Sequence, residues 1–309
     1  MGIVVKLYKD SILRRYDKDC AIPYYSGNDF EGLRFEEESF TNSEGVEIRY
    51  FTYFYEGFRT DRLILFCPGI GPGHTAYLSE IEAICREGFR VLTLDYTGCG
   101  ASGGEKLSSV NASVRDAMEL LGLVKPAVEV IPVGHSLGGY TALTVANLSN
   151  EVKRAAVISG FVSISDEMMG FAKLRFLANR VKRFEEKNSP AYGKVDNRAY
   201  LAETQDRILW IHSTDDPMVN YKYNAGQVLK LNNPGVEVVT VHNKRHNPQY
   251  TGEALAAMNA WIGEYGKLVR EKKLATVEER QAFFEGKPVS RMTELDPEVF
   301  GRVLKFIGE

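Results

Sequence analysis

The feature that most constrains this chain is the run Val133, Gly134, His135, Ser136, Leu137, Gly138, Gly139, which stands between an apolar stretch, Val128 to Val133, and a helical pattern. A serine with glycine two residues away on each side suits a sharp strand-to-helix turn that presents its hydroxyl outward. Gly134 and Gly138 lack a β-carbon, so the chain can take the strained turn and the helix can press on its neighbours. Glu129, Val130, Ile131, Pro132 and Val133 suit a short strand covered on both faces. Tyr140, Leu143, Thr144, Ala146 and Leu148 recur at helical spacing up to Asn150. Strand, elbow and helix follow in the required order, and Ser136 is the candidate nucleophile.

The same alternation organises the rest of the chain. Residues 33–41 and 47–56 read as an antiparallel hairpin turning at Asn42, Ser43, Glu44 and Gly45. Strand signals follow at Leu63 to Cys67, Val91 to Asp95, Ala155 to Ser159, Ile208 to His212 and Val236 to His242, and helical ones at about Thr75 to Glu87 and Val114 to Leu121. Such alternation implies an α/β fold, a mostly parallel central sheet with helices on both faces. A length of 309 residues and 44% hydrophobic content favour one large domain.

Between Ser159 and Ile208 the connection is too long for a simple crossover. Phe171, Leu174, Leu177, Val181 and Phe184 mark one apolar helical face, interspersed with Lys173, Arg175, Arg180, Lys182 and Arg183. A surface helix is the default reading. The sharper one is a helical cap inserted at about 160–206, with Met168, Met169 and Phe171 as an adaptable apolar wall for substrate. Attachment to an anionic membrane is disfavoured because Glu185 and Glu186 dilute the basic face. A helical extension is expected at about 267–309, where Asp296, Pro297 and Glu298 start a helix whose stripe of Val299, Val303, Leu304 and Ile307 packs back on the core.

A net charge of -3 and a pI near 6.1 give no electrostatic reason to expect nucleic acid as a partner. Cys20, Cys67, Cys85 and Cys99 form no CxxC pair and have no histidines at zinc-ligand spacing, so they read as reduced thiols and no metal site is expected. Lys6 interrupts the apolar run Ile3 to Val5 and occupies the place where a myristoylation motif wants serine or threonine. With no run approaching the length of a membrane span, the expectation is a soluble, cytoplasmic protein without stable membrane insertion. The absence of a dinucleotide fingerprint or Walker loop argues against redox or phosphoryl chemistry, and no cofactor is expected.

Two motifs in the right order resemble the alpha/beta-hydrolase superfamily: GHSLGG matches its nucleophile elbow, and Asp95, Tyr96, Thr97, Gly98, Cys99, Gly100, Ala101, Ser102 resembles its DxxGxGxS loop. The resemblance runs from about residue 33 to the C-terminus and is strongest over 63–139. It implies an alpha/beta-hydrolase fold and a serine, acid, histidine order along the chain. A serine hydroxyl needs a base to take its proton, and the base needs an orienting carboxylate. Of the histidines after Ser136, namely His212, His242 and His246, the last lies on the loop beyond the final strand and matches the base, whereas His242 reads as structural. Asp216 falls in register with the acid of the family's GxxDxxV signature, with Ser213 in the glycine place and Asp215 as runner-up.

Aligning the family's HGxG on Pro68 to Gly71 points to the amides of Ile70 and Leu137 as the oxyanion hole. His74, on the same loop, reads as exposed or as a substrate contact. His135 resembles the GHSxG form of esterases, monoacylglycerol lipases, thioesterases and proline-type aminopeptidases. The expected activity is hydrolysis of a small to medium carboxylic ester with an apolar acyl part, its partner being a small-molecule acyl substrate. Thioesterase or acyltransferase chemistry keeps the same triad. An aminopeptidase would need an acid for the substrate amine, from Asp166, Glu167, Glu185 or Glu186, and a non-catalytic binding protein would be signalled by an incomplete triad.

Overall fold

The computed structural model describes residues 2–17 and 22–309. Eight strands form its main sheet: β1 (Arg34–Thr41), β2 (Glu47–Phe54), β3 (Arg62–Cys67), β4 (Arg90–Leu94), β5 (Glu129–His135), β6 (Arg154–Ile158), β7 (Arg207–Ser213) and β8 (Val236–Val241). Their spatial order is β8-β7-β6-β5-β3-β4-β2-β1. Only the pairings of β2, to β1 and to β4, are antiparallel. The hairpin forms because the Asn42 side-chain oxygen accepts the amides of Glu44 and Val46, closing the turn with Gly45 at positive φ.

The period-two alternation of a strand sorts the core into two halves. Leu63, Leu65 and Cys67 of β3 enter one apolar cluster while Ile64 and Phe66 enter the other. The first half lies under α1 (Ile3–Ser11), α3 (Ala112–Val124) and α4 (Leu137–Leu148), the second under α2 (Leu78–Arg86) and the C-terminal helix. Since β3 and β5 are buried on both faces, they read in the sequence as continuous apolar runs.

Between β6 and β7 the chain forms α5 (Ile164–Ala172), α6 (Arg175–Asn188) and α7 (Asn197–Glu203). The single apolar face expected from Phe171 to Phe184 is thus divided, because Lys173 adopts a left-handed conformation that caps α5 and turns the chain. Val181 is buried, whereas Phe171 and Leu174 stand exposed. After β8 come α8 (Gly252–Arg270), α9 (Val277–Phe284) and α10 (Val299–Gly308). The Asp296 carboxylate accepts the amides of Glu298 and Val299, and Val299, Phe300, Val303 and Ile307 pack into the second core half.

Cys67, Cys85 and Cys99 are buried free thiols, and Cys20 lies outside the described residues. Among the described residues no helix is long and apolar enough to cross a membrane.

Candidate active site

β5 delivers the elbow. Ser136 has φ 57° and ψ -120°, a strained backbone for a residue with a side chain, and caps the start of α4. The strain is held by packing. A β-carbon on Gly138 would lie 1.8 Å from the Cys67 carbonyl oxygen, and one on Gly134 2.1 Å from the Gly138 carbonyl oxygen. The Ser136 amide also donates to the Ile158 carbonyl at 2.9 Å, tying the elbow to β6.

Three side chains from separate loops meet there. Ser136 Oγ lies 2.9 Å from His246 Nε2, and His246 Nδ1 lies 2.8 Å from Asp216 Oδ2. Asp216 follows β7, and its other oxygen accepts the amides of Met218 and Val219 at 2.8 and 2.9 Å. Burial pushes the Asp216 carboxyl up, but the hydrogen bonds from His212 and His246 outweigh it and hold the group well below the usual carboxylate range.

Two buried histidines support this row, and sequence reasoning gave neither a role in it. The Trp210 indole donates to His212 Nδ1 at 3.3 Å, so Nε2 carries the ring proton and reaches the Val219 carbonyl at 2.9 Å and Asp216 Oδ2 at 3.2 Å. His135 Nε2 lies 2.8 Å from the His246 carbonyl while Tyr77 bonds its Nδ1 at 3.0 Å. Burial, then the neighbouring His246, pushes His135 down to about 3, so it holds the His246 loop as a neutral ring. The available signal for His212 was its place at the end of a strand four residues before Asp216.

The remaining candidates separate by contact. Asp215 accepts from the Ser213 hydroxyl at 2.5 Å and the Arg245 amide at 3.3 Å, so it fixes the loop rather than meeting His246. Ser213, in the family's glycine place, also accepts the Lys244 amide at 3.2 Å. His242 is exposed and bonds Thr214. His74 is neither exposed nor a substrate contact: it is buried, stacked on Phe51, with its ring bonded to Asp95 at 2.9 Å and Tyr53 at 3.0 Å. Asp95 also accepts the amides of His74 and Ala101, both at 2.7 Å, so the DxxGxGxS segment braces the loop that carries Ile70. The sequence reading missed this because a histidine's burial depends on what folds over it.

Ser136, Ile70 and Leu137 open onto one apolar cavity of about 560 Å³. As the first residue of α4, Leu137 has an amide without an intrahelical acceptor. Met168 and Phe171 line the cavity. Met169 does not; it is buried on the other side of α5, since successive helical residues point about 100° apart.

One wall was not anticipated: α1 contributes Ile3, Val4, Leu7, Tyr8, Ser11 and Ile12, a spacing that is itself helical. Of the four acids considered for an amine, only Glu167 lines the cavity. Asp166 lies in the first turn of α5, donating its amide to the Ser163 cap, and pairs with Arg198, while Glu186 pairs with Lys182. Glu185 is buried, accepting from Tyr8, Ser109, Asn111 and the Val110 amide. Burial, then the Asp216 charge, pushes Glu167 up to about 8, which leaves it mostly neutral at pH 7.

The fold and site define an α/β protein with a serine elbow facing an imidazole and a carboxylate. A family described as serine aminopeptidase, S33, matches residues 59–203. The chain is similar to the putative carbamate hydrolase RutD of Agrobacterium fabrum, 26% identical over 152 residues, covering 47% of this chain and 56% of that protein. It is also similar to the probable esterase PIR7A of Oryza sativa subsp. indica, 25% identical over 121 residues, covering 38% and 46%. The chain spans about half the length of these curated relatives.

Among solved structures it resembles the Pyrococcus furiosus esterase Pf2001, with a TM-score of 0.56 at 18% identity over 84% of this chain and 96% of that one. It also resembles Est1E from Butyrivibrio proteoclasticus, solved with ferulic acid bound, with a TM-score of 0.55 at 16% identity over 68% and 90%. The chain has the alpha/beta-hydrolase fold.

Proposed function

We propose that the protein is a serine hydrolase that cleaves a carboxylic ester with an apolar acyl part through an acyl-enzyme intermediate. The observation that carries this reading is the unbroken row from Ser136 Oγ through His246 to Asp216, at 2.9 and 2.8 Å, at the floor of an apolar cavity. Ser136 Oγ attacks the ester carbonyl carbon as its proton passes to His246 Nε2, and Asp216 holds the imidazole that becomes charged. The amides of Ile70 and Leu137 receive the oxyanion. Collapse of the tetrahedral species breaks the carbon–oxygen bond, and His246 returns the proton to the departing alcohol. Water, deprotonated by His246, then adds to the acyl-enzyme and releases the acid and free Ser136.

Helices α5 to α7 act as a cap. Met168, Phe171 and the α1 wall receive the acyl chain, since an apolar lining gains free energy for each methylene it removes from water. The test is labelling by a fluorophosphonate together with hydrolysis of soluble p-nitrophenyl esters. Both are expected in the wild type and lost in Ser136→Ala, and labelling that persists in the variant overturns the assignment. Product analysis with an added alcohol or thiol separates hydrolysis from acyl transfer.

A second reading, cleavage of an aminoacyl amide, has Glu167 in its favour as the acid facing the cavity. The ester reading is preferred because a group mostly neutral at pH 7 is a weak partner for an ammonium. Amide turnover exceeding ester turnover, and lost in Glu167→Gln, would reverse that preference.

A further inference from the structure

The rim of the cavity is apolar and faces solvent. Ile3 and Leu7 of α1, Phe171 of α5 and Met218 line the cavity and are exposed, as are Leu174 and Phe176 where α6 begins. Exposed large apolar groups that are contiguous with a binding pocket, rather than scattered, mark a surface that is covered in use.

Charge indicates what covers it. Lys6, Lys173, Arg175, Arg180 and Arg183 are exposed and form no ion pair among the described residues. Phe176, Arg180, Arg183 and Lys187 follow one another at helical spacing and so share one stripe of α6. The Arg180 guanidinium lies over the Phe176 ring, and it closes on Gly2 at the start of α1, which joins the stripe to the exposed Ile3.

The two acids expected from the sequence to dilute this face do not. Glu185 points inward to Tyr8, Ser109 and Asn111, and Glu186 is paired with Lys182. Asp10 is the remaining acid on α1. The rim is therefore cationic on a chain whose net charge is -3.

We propose that the rim formed by α1, the end of α5 and the start of α6 docks on an anionic lipid surface, with the mouth of the Ser136 cavity facing the acyl chains. This rests on the proposed ester hydrolysis only for the identity of the substrate; the docking itself does not. The apolar side chains enter the interface while the basic ones meet the headgroups, as an interfacial helix does, with no span of the bilayer. A second copy of the chain would meet the same positive charge on its own rim, which argues against self-association.

The test is co-sedimentation of the full chain with phosphatidylcholine vesicles and with vesicles of phosphatidylcholine and phosphatidylglycerol. Binding is expected to the anionic vesicles, weakening with salt, and little to the neutral ones. Replacing Arg180 and Arg183 by glutamate should lower the partition coefficient by about tenfold or more. Leu174→Ser with Phe176→Ser should lower it comparably, while both variants keep wild-type hydrolysis of a soluble short-chain ester. Equal binding to both vesicle types, no binding, or variants that bind as the wild type would overturn the proposal. A dimer in size-exclusion chromatography that the Leu174→Ser, Phe176→Ser variant dissociates would overturn it in favour of a second copy. Failure of the catalytic reading would appear separately, as fluorophosphonate labelling that survives Ser136→Ala.

Discussion

Replacing His212 by phenylalanine tests whether the candidate site is held by its buried second histidine. The ring is fully buried and donates one N–H shared between Asp216 Oδ2 and the Val219 carbonyl, while its other nitrogen accepts the Trp210 indole proton. Phenylalanine keeps most of the volume and removes all three contacts. Losing a hydrogen bond to a buried carboxylate costs about 1.5–3 kcal/mol, and each of the two neutral groups left unpaired adds about 1 kcal/mol, for a total of about 3.5–5 kcal/mol. For a chain of this size that corresponds to a melting temperature lower by roughly 6–10 °C.

The pH dependence has a definite sign. Asp216 is depressed in the folded protein, so it contributes stability above its unfolded pKa that is lost as pH falls through the lower folded value. In the variant the folded value rises toward the ordinary carboxylate range. The stability gap between wild type and variant is therefore widest at neutral pH and narrows in acid. Calorimetric melting at pH 7 and at about pH 3, with a soluble ester assay at pH 7, reads all of this, the carboxylate range being about 3.9 when unperturbed. Turnover at pH 7 should fall by less than about tenfold, because Asp216 stays ionised and keeps His246. A melting temperature within about 1 °C of wild type, or a gap that does not close in acid, would refute the reasoning.

Three further outcomes follow from the packing. Gly138→Ala forces a β-carbon to within 1.8 Å of the Cys67 carbonyl oxygen, so it should cost about 3 kcal/mol or more and remove fluorophosphonate labelling. Denaturant melts and labelling check this, and a stable, labelled variant would contradict the elbow geometry. Glu80 is buried with one oxygen unpartnered and is pushed up to about 7 by burial. Its folded value lies above the unfolded one, so ionisation costs stability as pH rises from about 4.5 to 7, and Glu80→Gln should gain on the order of 2–3 kcal/mol over wild type at pH 8 and little at pH 4, read by denaturant melts. Met168→Trp narrows the cavity and should lower kcat/KM for an octanoate ester by about tenfold relative to an acetate ester, since each excluded methylene forfeits about 0.8 kcal/mol; an unchanged ratio would place the acyl chain elsewhere.

Much of this protein was readable along the chain. Period-two and period-3.6 patterns located all eight strands of the sheet within about two residues, because each signal is confined to one element and its two faces. The elbow was readable for a similar reason: two glycines and a serine within five residues specify a backbone path that bulkier residues cannot follow.

Tertiary structure alone decided which side chains share a space. It buried His74 between Asp95 and Phe51, turned Met169 from the cavity that Met168 enters, and brought α1 across more than a hundred residues to line the space above Ser136. It also placed Glu185 inside and left Glu167 facing the cavity, a distinction between two acids of one helical excursion that no local pattern carries. Backbone propensity and hydrophobic period act over a turn or a strand, whereas burial, pKa and cavity lining depend on contacts between residues far apart in the chain, and those exist only once the sheet has closed and the helices have packed on it.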